Sequence, residues 1–333
     1  MKTLYDSVQI MRGIAALSVI TVHVGMVHNG AFGVDLFFCI SGFIMMHVTE
    51  KSDHHFLQKR AIRIIPVYWI TNIVISAVLI IKPDLFRTVI LTPEHFIKSM
   101  LFIPYYYTGK SGVTVSALNL VGWTLILEVF FYFLFFTAMK ISHKYRHYIA
   151  TGGLVVLVVI GLADNSDNTF TRFYCSSIML EFSLGMFAYK ILTRSDTKKW
   201  GTFATVSAVF VAVLIWLGLY AVKYVPPLSE LTRVIIYGLP TFVFFLLVFK
   251  ALEGRSMSRP LIVLGNISYS LYLTHSFVVQ GFSRLVYDID KYSFMGMVLI
   301  FVVIIPTIII IAWVSWWLVE NKFTGWIKRQ LGV

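Results

Sequence analysis

Residues 295–319 read MGMVLIFVVIIPTIIIIAWVSWWLV, an apolar stretch without a single charged side chain. A transmembrane helix needs about 20 consecutive apolar residues to cross the hydrocarbon core of a bilayer. The rest of the chain has the same character, because 58% of its 333 residues are hydrophobic and only 13% are charged. Soluble domains average about 45–50% apolar and about 25% charged residues. The stretch therefore predicts an integral membrane protein.

Similar apolar segments recur along the chain and set the fold class. We predict an all-α, polytopic helical bundle of about ten transmembrane helices, in a single membrane-embedded domain over residues 1–333, because no polar stretch is long enough for a second core. The first segment lacks the apolar core and cleavage site of a signal peptide, so we expect it to be retained. The predicted spans are 8–28, 31–49, 64–81, 119–139, 149–163, 173–192, 201–222, 233–251, 261–281 and 295–319.

The distribution of charge predicts the orientation of these spans. The net charge of +12 comes from Lys and Arg residues dispersed over short loops, so we expect no nucleic-acid partner. About twice as many of them fall on the side of the two termini as on the other side, which places both termini in the cytoplasm. The longest outer loop, 82–118, is rich in aromatic residues and is expected at the membrane interface or over a cavity mouth.

Ionisable residues inside the predicted spans are candidates for function, because a charge at the bilayer centre costs about 2.5–3.5 kcal/mol on insertion scales. Arg12 and His23 lie eleven residues apart in the first span, hence on one helix face and about 16 Å apart along its axis. Snorkelling at a helix end is the alternative for Arg12. An interhelical hydrogen bond is the alternative for His23.

Three carboxylates and a second histidine also fall in predicted spans. Asp35 follows His23 across a glycine-rich turn and is expected to orient the imidazole as a general base, or else to cap its own helix. Glu128 is expected to face the bundle interior and to pair with a cation or a substrate hydroxyl. Glu181 has a structural and a functional interpretation of equal weight, and His275 is expected to form an interhelical hydrogen bond.

Two arginines stand at the predicted cytoplasmic end of the third span. Arg60 and Arg63 are three residues apart on one side of a helix, where two guanidinium groups would bind phosphates bidentately. Ordinary positive-inside anchoring is the alternative. We expect no metal: His143 and His147 have helical spacing, but Lys144 and Arg146 beside them oppose cation binding.

Five segments in order resemble the membrane-bound acyltransferase 3 family, and within it the exopolysaccharide-production acetyltransferases of the ExoZ type. The resemblance implies a ten-helix protein of the bacterial inner membrane. It also implies transfer of an acyl group, usually acetyl from cytoplasmic acetyl-CoA, to a hydroxyl of an extracytoplasmic glycan such as O-antigen or exopolysaccharide. The segments are residues 9–17 with His23, 33–45, 60–69, 123–132 and 268–275.

The resemblance also implies roles for individual residues. His23 matches the catalytic histidine of the family and Arg12 its partner on the same helix, while Arg60 and Arg63 match its arginine motif. We expect acetyl-CoA to bind with its phosphates on the two arginines and with Trp123 at the donor site. His23 would act as general base, oriented by a carboxylate, or carry the acetyl group itself.

Two points stay open at this stage, the route of transfer and a rival function. Some relatives append a periplasmic SGNH domain, which is expected to be absent here, so the acyl group is either transferred directly or passed to a separate partner. Alternatively, the buried charges form a relay in a transporter or flippase of a lipid-linked sugar.

Overall fold

The computed structural model describes residues 2–26, 30, 32–52, 54–83, 89–109, 112–164, 168–194, 200–224, 226–285 and 293–332. Over these residues the chain is helical apart from one two-stranded hairpin. They divide into two compact units. The first unit is Met1–Val22, Val27–Phe56 and Phe130–Asn266, and the second unit is His23–Met26, Leu57–Val129 and Ile267–Val333.

The helices follow the apolar segments of the sequence. In chain order they are α1 (Lys2–His23), α2 (Phe32–Val48), α3 (Phe56–Ile81), α4 (Pro93–Met100), α5 (Trp123–Ile141), α6 (Arg146–Ala163), α7 (Thr169–Tyr174), α8 (Leu180–Arg194), α9 (Thr202–Ala221), α10 (Leu231–Arg233), α11 (Leu239–Leu252), α12 (Arg259–Asn266), α13 (Ser268–Leu285), α14 (Phe294–Val298), α15 (Ile305–Ser315) and α16 (Thr324–Leu331). Short 3₁₀ turns precede α5 and α8. The π-helical stretches are Val234–Gly238, Leu299–Ile304 and Trp316–Phe323.

The first unit is centred on the close packing of α2 against α8. A Cβ atom added at Gly185 of α8 would overlap the carbonyl oxygen of Cys39 in α2, and one at Gly42 would overlap the carbonyl oxygen of Phe182. Small residues allow this approach, which gains dispersion contacts where lipid offers no hydrophobic driving force between helices. Phe182 also stacks on Phe38 at 4.5 Å between ring centroids.

In the second unit α13 packs against α15 and is hydrogen-bonded to α3. The Tyr269 hydroxyl in α13 donates to the Ile64 carbonyl in α3 at 2.7 Å. Part of the predicted loop 82–118 is ordered secondary structure in this unit. It contains α4, capped by the Thr92 side chain, which accepts a hydrogen bond from the His95 amide. A hairpin of β1 (Tyr105–Gly109) and β2 (Gly112–Ser116) follows, so the all-α expectation lacked one small antiparallel element.

Six helical stretches of the described chain are long and apolar enough to cross a membrane, and α12 with α13 makes a seventh if the broken pair is one span. The expectation of a polytopic helical membrane protein therefore agrees with the structure. All ten predicted spans overlap helices. However, α2 with 17 residues and α8 with 15 are too short to be counted as spans, and α1 is not among the helices that are both long and apolar enough. The number ten and the cytoplasmic side of the termini stay predictions.

We expect Gly185→Ala to destabilise the first unit, because overpacking a close contact costs about 1–3 kcal/mol. The matched control is Gly218→Ala in α9, where a Cβ atom has no neighbour within 4 Å and alanine improves helix propensity. Thermal unfolding of both variants in detergent tests this. An unfolding temperature of Gly185→Ala at or above that of Gly218→Ala would contradict the close α2–α8 packing.

Candidate functional site

A cationic cavity lies in the second unit at the start of α3. It measures about 270 Å³. Lys59, Arg60 and Arg63 line it from α3, where they lie on one side of the helix. The other lining residues are Glu320 in the π-helical stretch Trp316–Phe323, and Thr324 and Lys328, which are four residues apart and share a face of α16. Four cations and one carboxylate give the cavity an excess of positive charge, which suits an oxyanion ligand.

The carboxylate of this cavity is fixed to α13. Glu320 Oε1 accepts hydrogen bonds from the Ser270 amide at 3.1 Å and from the Ser270 hydroxyl at 2.5 Å. The Ser315 hydroxyl lies 3.1 Å from the same serine oxygen. These bonds hold the cavity wall and the first turn of α13 together as one polar cluster.

The predicted catalytic histidine meets a second histidine on α13. His23 Nδ1 lies 3.4 Å from His275 Nε2, and the two rings are arranged edge to face with their centroids 4.8 Å apart. His275 is fully buried, whereas His23 is exposed at the end of α1. The expected interhelical hydrogen bond of His275 is therefore confirmed, and its partner is His23.

Helix α13 thus bonds Glu320 of the cavity lining through Ser270 and carries one ring of the histidine pair, His275. Ser270 and His275 are five residues apart in α13, which corresponds to about 7.5 Å along the helix axis. Asn119 holds this part of α13 in place: its side-chain amide donates to the Leu273 carbonyl at 2.9 Å, and its Oδ1 accepts from the Ser276 hydroxyl at 3.3 Å. The Asn119 backbone amide donates in turn to Asn72 Oδ1 in α3 at 3.1 Å.

Two further predicted residues lie on α5 in the same unit. Trp123 is its first residue and is half-buried, and Glu128 is half-buried in its second turn. The Glu128 carboxylate lies within electrostatic range of the Tyr272 hydroxyl. The Tyr272 ring packs 5.9 Å from that of His275, so Glu128 belongs to the surroundings of the histidine pair.

Arg12 belongs to the first unit and is buried, at 8% exposure. Its guanidinium donates to Gln9 Oε1 at 3.4 Å, one turn earlier in α1. Burial argues against the snorkelling alternative, because a snorkelling side chain extends its charged group into water. The predicted catalytic role of Arg12 stays a prediction.

Asp35 forms a buried ion pair in the first unit. Arg233 donates to Asp35 Oδ2 at 2.7 Å, and the side chains of the two residues are 3% and 0% exposed. Glu181, which is also buried, interacts electrostatically with both. Sequence reasoning missed Arg233 as a partner of Asp35, because an arginine at the edge of an apolar segment has no local pattern that indicates a buried pair. The proposed orienting role of Asp35 beside His23 stays a prediction.

Other polar groups of the sequence have structural partners. His143 Nε2 lies 2.8 Å from the Thr49 carbonyl, so this ring bonds the backbone. Cys39 and Cys175 are free thiols in buried positions. Among the residues that the structure describes, no group of three or more His, Cys, Asp or Glu side chains is arranged to hold a metal ion.

Comparisons with known proteins agree on one family. A family model described as "Acyltransferase domain" matches residues 5–317. The exopolysaccharide production protein ExoZ of Rhizobium meliloti (strain 1021) is 31% identical over 258 residues, which cover 75% of this chain and 77% of ExoZ. The O-acetyltransferase OatA of Staphylococcus aureus (strain NCTC 8325 / PS 47) is 25% identical over 81% of this chain, and the match spans about half of OatA, 51%. No solved structure matches the chain.

The buried charges of the first unit give a testable order of stability. Arg233→Met leaves two buried carboxylates without their cation, which costs about 3–5 kcal/mol for a broken buried pair. Glu181→Gln removes the carboxylate in excess and leaves the Asp35–Arg233 pair intact, so we expect a much smaller loss. Unfolding of both variants in detergent gives the comparison. Equal destabilisation by the two substitutions would argue against Arg233 as the cation that stabilises the buried carboxylates and against Glu181 as the carboxylate in excess.

Proposed function

Because this chain belongs to the acyltransferase family whose domain model matches residues 5–317, we propose that it transfers an acetyl group from acetyl-CoA to a sugar hydroxyl of an extracytoplasmic glycan. One relative is named for exopolysaccharide production and the other for O-acetyl transfer, which supports a glycan acceptor and an acetyl group. The observation that carries the proposal is geometric: α13 hydrogen-bonds Glu320, which lines the cationic cavity, and also carries His275 of the histidine pair.

The cationic cavity is the proposed site for the phosphates of acetyl-CoA. Its guanidinium groups, Arg60 and Arg63, suit bidentate contacts to phosphate oxygens, and Lys59 and Lys328 add point charges. A volume of about 270 Å³ is below the roughly 300–1,000 Å³ of whole small-molecule sites, so we assign only the phosphate-bearing end of the donor to it. This assignment requires that the cavity open to the cytoplasm, as the predicted topology has it.

The acyl arm of the donor would then run beside α13 towards His23. An extended pantetheine arm is longer than the rise of about 7.5 Å between Ser270 and His275, so it can cover this distance. Trp123, at the start of α5, is proposed to line this path. A donor that is bound at both its phosphates and its thioester already has a fixed orientation. Its reacting carbon would therefore be correctly placed when the acceptor binds.

His23 would perform the chemical step in one of two ways. As a general base, its imidazole accepts the proton of the sugar hydroxyl while the sugar oxygen attacks the thioester carbon. The C–O bond forms, the C–S bond breaks, and the thiolate takes the proton from the imidazolium. As an acyl carrier, the imidazole nitrogen attacks the thioester carbon, the C–S bond breaks and CoA leaves as the thiolate. The sugar oxygen then attacks the acetyl carbon, the C–N bond breaks to restore the neutral imidazole, and the hydroxyl proton passes to the thiolate.

The remaining expected roles belong to the same proposal. We place Glu128 near the histidine pair as an electrostatic partner of the reaction, and leave Arg12 and Asp35 as candidates for stabilising the thioester oxygen and orienting His23. The protein is proposed to be a single multi-pass domain of the bacterial cytoplasmic membrane. Family membership disfavours the alternative of a transporter or flippase for a lipid-linked sugar.

We expect His23→Ala to lower acetyl transfer by at least about 10²-fold, the lower range for loss of an acid–base group. The assay uses purified protein in detergent or liposomes, radiolabelled acetyl-CoA and a pool of lipid-linked or polymeric glycan. Donor binding, measured separately, should stay within about twofold. Full transfer by folded His23→Ala protein would defeat both versions of the step, and no transfer or donor binding by the wild type would favour the transporter.

We expect Arg60→Gln and Arg63→Gln each to raise KM for acetyl-CoA about tenfold or more, since a hydrogen bond to a charged group contributes about 1.5–3 kcal/mol. Turnover at saturating donor should change little. Lys322→Gln is the matched control, because Lys322 is a nearby cation outside the cavity that packs on the Trp317 ring. Equal effects of all three substitutions would point to general surface charge and away from a donor site.

A further inference from the structure

The carbonyl oxygen of Leu271 determines which nitrogen of the His275 ring carries the proton. His275 Nδ1 lies 3.2 Å from the carbonyl oxygen of Leu271, one turn earlier in α13. A carbonyl oxygen only accepts hydrogen bonds, so Nδ1 must carry the proton of this contact. The ring is fully buried, and a charged imidazolium there would cost free energy, so the neutral form prevails. A neutral imidazole protonated on Nδ1 has its lone pair on Nε2.

The tautomer of His275 in turn determines the tautomer of His23. His275 Nε2, which carries a lone pair, can only accept in its 3.4 Å contact with His23 Nδ1. His23 must therefore donate through Nδ1–H. In the neutral imidazole of His23, this leaves the lone pair on Nε2.

We propose that His275 is a positioning residue that fixes His23 as the Nδ1–H tautomer, so that Nε2 of His23 is the reactive nitrogen. In this chain of hydrogen bonds His23 Nδ1–H donates to His275 Nε2, and His275 Nδ1–H donates to the Leu271 carbonyl. The inference rests on the proposed function for its chemical meaning, but the tautomer itself is a property of the two rings.

The position of His275 is held by its surroundings. Asn119 binds α13 on both sides of it, at the Leu273 carbonyl and the Ser276 hydroxyl. The titratable groups that face it are His23 and Tyr272, and Glu128 lies beyond the Tyr272 hydroxyl. A buried, anchored acceptor behind an exposed imidazole has the arrangement by which a third group orients the base in nucleophile–base systems.

The fixed tautomer serves both versions of the acetyl transfer. If His23 is the general base, Nε2 takes the hydroxyl proton and Nδ1–H stays bonded to His275 while the ring is positively charged. If His23 carries the acetyl group, Nε2 forms the C–N bond as the C–S bond breaks. In either case, loss of the acceptor at position 275 lets the other tautomer form and turns the lone pair towards the wrong side.

Two amide substitutions separate the acceptor function from the rest of the ring. His275→Gln places a carbonyl oxygen near the position of Nε2 and can accept from His23, whereas His275→Asn reaches only the position of Nδ1 and keeps the Leu271 contact. We expect His275→Asn to lower turnover about 10²-fold. His275→Gln should recover at least about tenfold of this, and KM for acetyl-CoA should stay within about twofold in both.

The matched control is His95→Gln. His95 is also a fully buried histidine of the second unit whose Nδ1 contacts a backbone carbonyl, that of Ile90 at 3.0 Å. This substitution should leave turnover within about twofold. Equal turnover of His275→Asn and His275→Gln, in protein that unfolds at the same temperature, would overturn the positioning role.

The tautomer is measured directly by nuclear magnetic resonance on protein with ¹⁵N-labelled histidine. The His23 signals should show protonated Nδ1 and unprotonated Nε2 in the wild type and in His275→Gln, and a mixture or the reverse in His275→Asn. Unchanged His23 signals in His275→Asn would overturn the inference. A wild-type protein that has the expected tautomer but transfers no acetyl group would instead overturn the proposed function and leave the positioning contact standing.

Discussion

The polar contacts of α13 are the constraint on which the second unit depends. An apolar environment offers no water to replace a lost hydrogen bond, so each buried polar group needs a partner inside the protein. Within eight residues α13 uses Tyr269 to reach α3, Ser270 to hold Glu320, and His275 to hold His23. These contacts fix the helix in rotation and in height, because a change of one residue in register would break them together.

The first unit meets the same constraint by a different route. Arg233 pairs with Asp35 there, and the carboxylate of Glu181 lies within electrostatic range of both. Its helices α2 and α8 approach through glycine and aromatic contacts, and the Arg146 guanidinium at the start of α6 donates to the carbonyls of Met46 and Thr49 at the end of α2. The first unit thus combines close backbone packing with buried cations that are held by a carboxylate or by backbone carbonyls, whereas the polar contacts named above for the second unit lie along α13.

The sequence predicts those parts of the structure that depend on local pattern. Apolar length locates the helices, and the spacing of Arg60 and Arg63 is enough to place both at one surface. The buried partners lie far apart in sequence: Arg233 is 198 residues from Asp35, and His275 is 252 residues from His23. No local pattern encodes such pairs, and the same holds for the clamp of Asn119 on α13. The hairpin β1–β2 escaped prediction because its short strands lie in a loop whose aromatic residues also fit a membrane interface.

The π-helical stretch Trp316–Phe323 has a consequence for how such a cavity can change during evolution. A π-helical turn holds an extra residue, so every side chain after it is rotated by about 100° relative to an uninterrupted α-helix. Thr324 and Lys328 follow this stretch and line the cavity. Their direction is therefore set by the count of residues before them as much as by their identity. A one-residue insertion or deletion, absorbed as a gain or loss of π character, would turn this wall of the cavity away from α3 without altering any of its side chains.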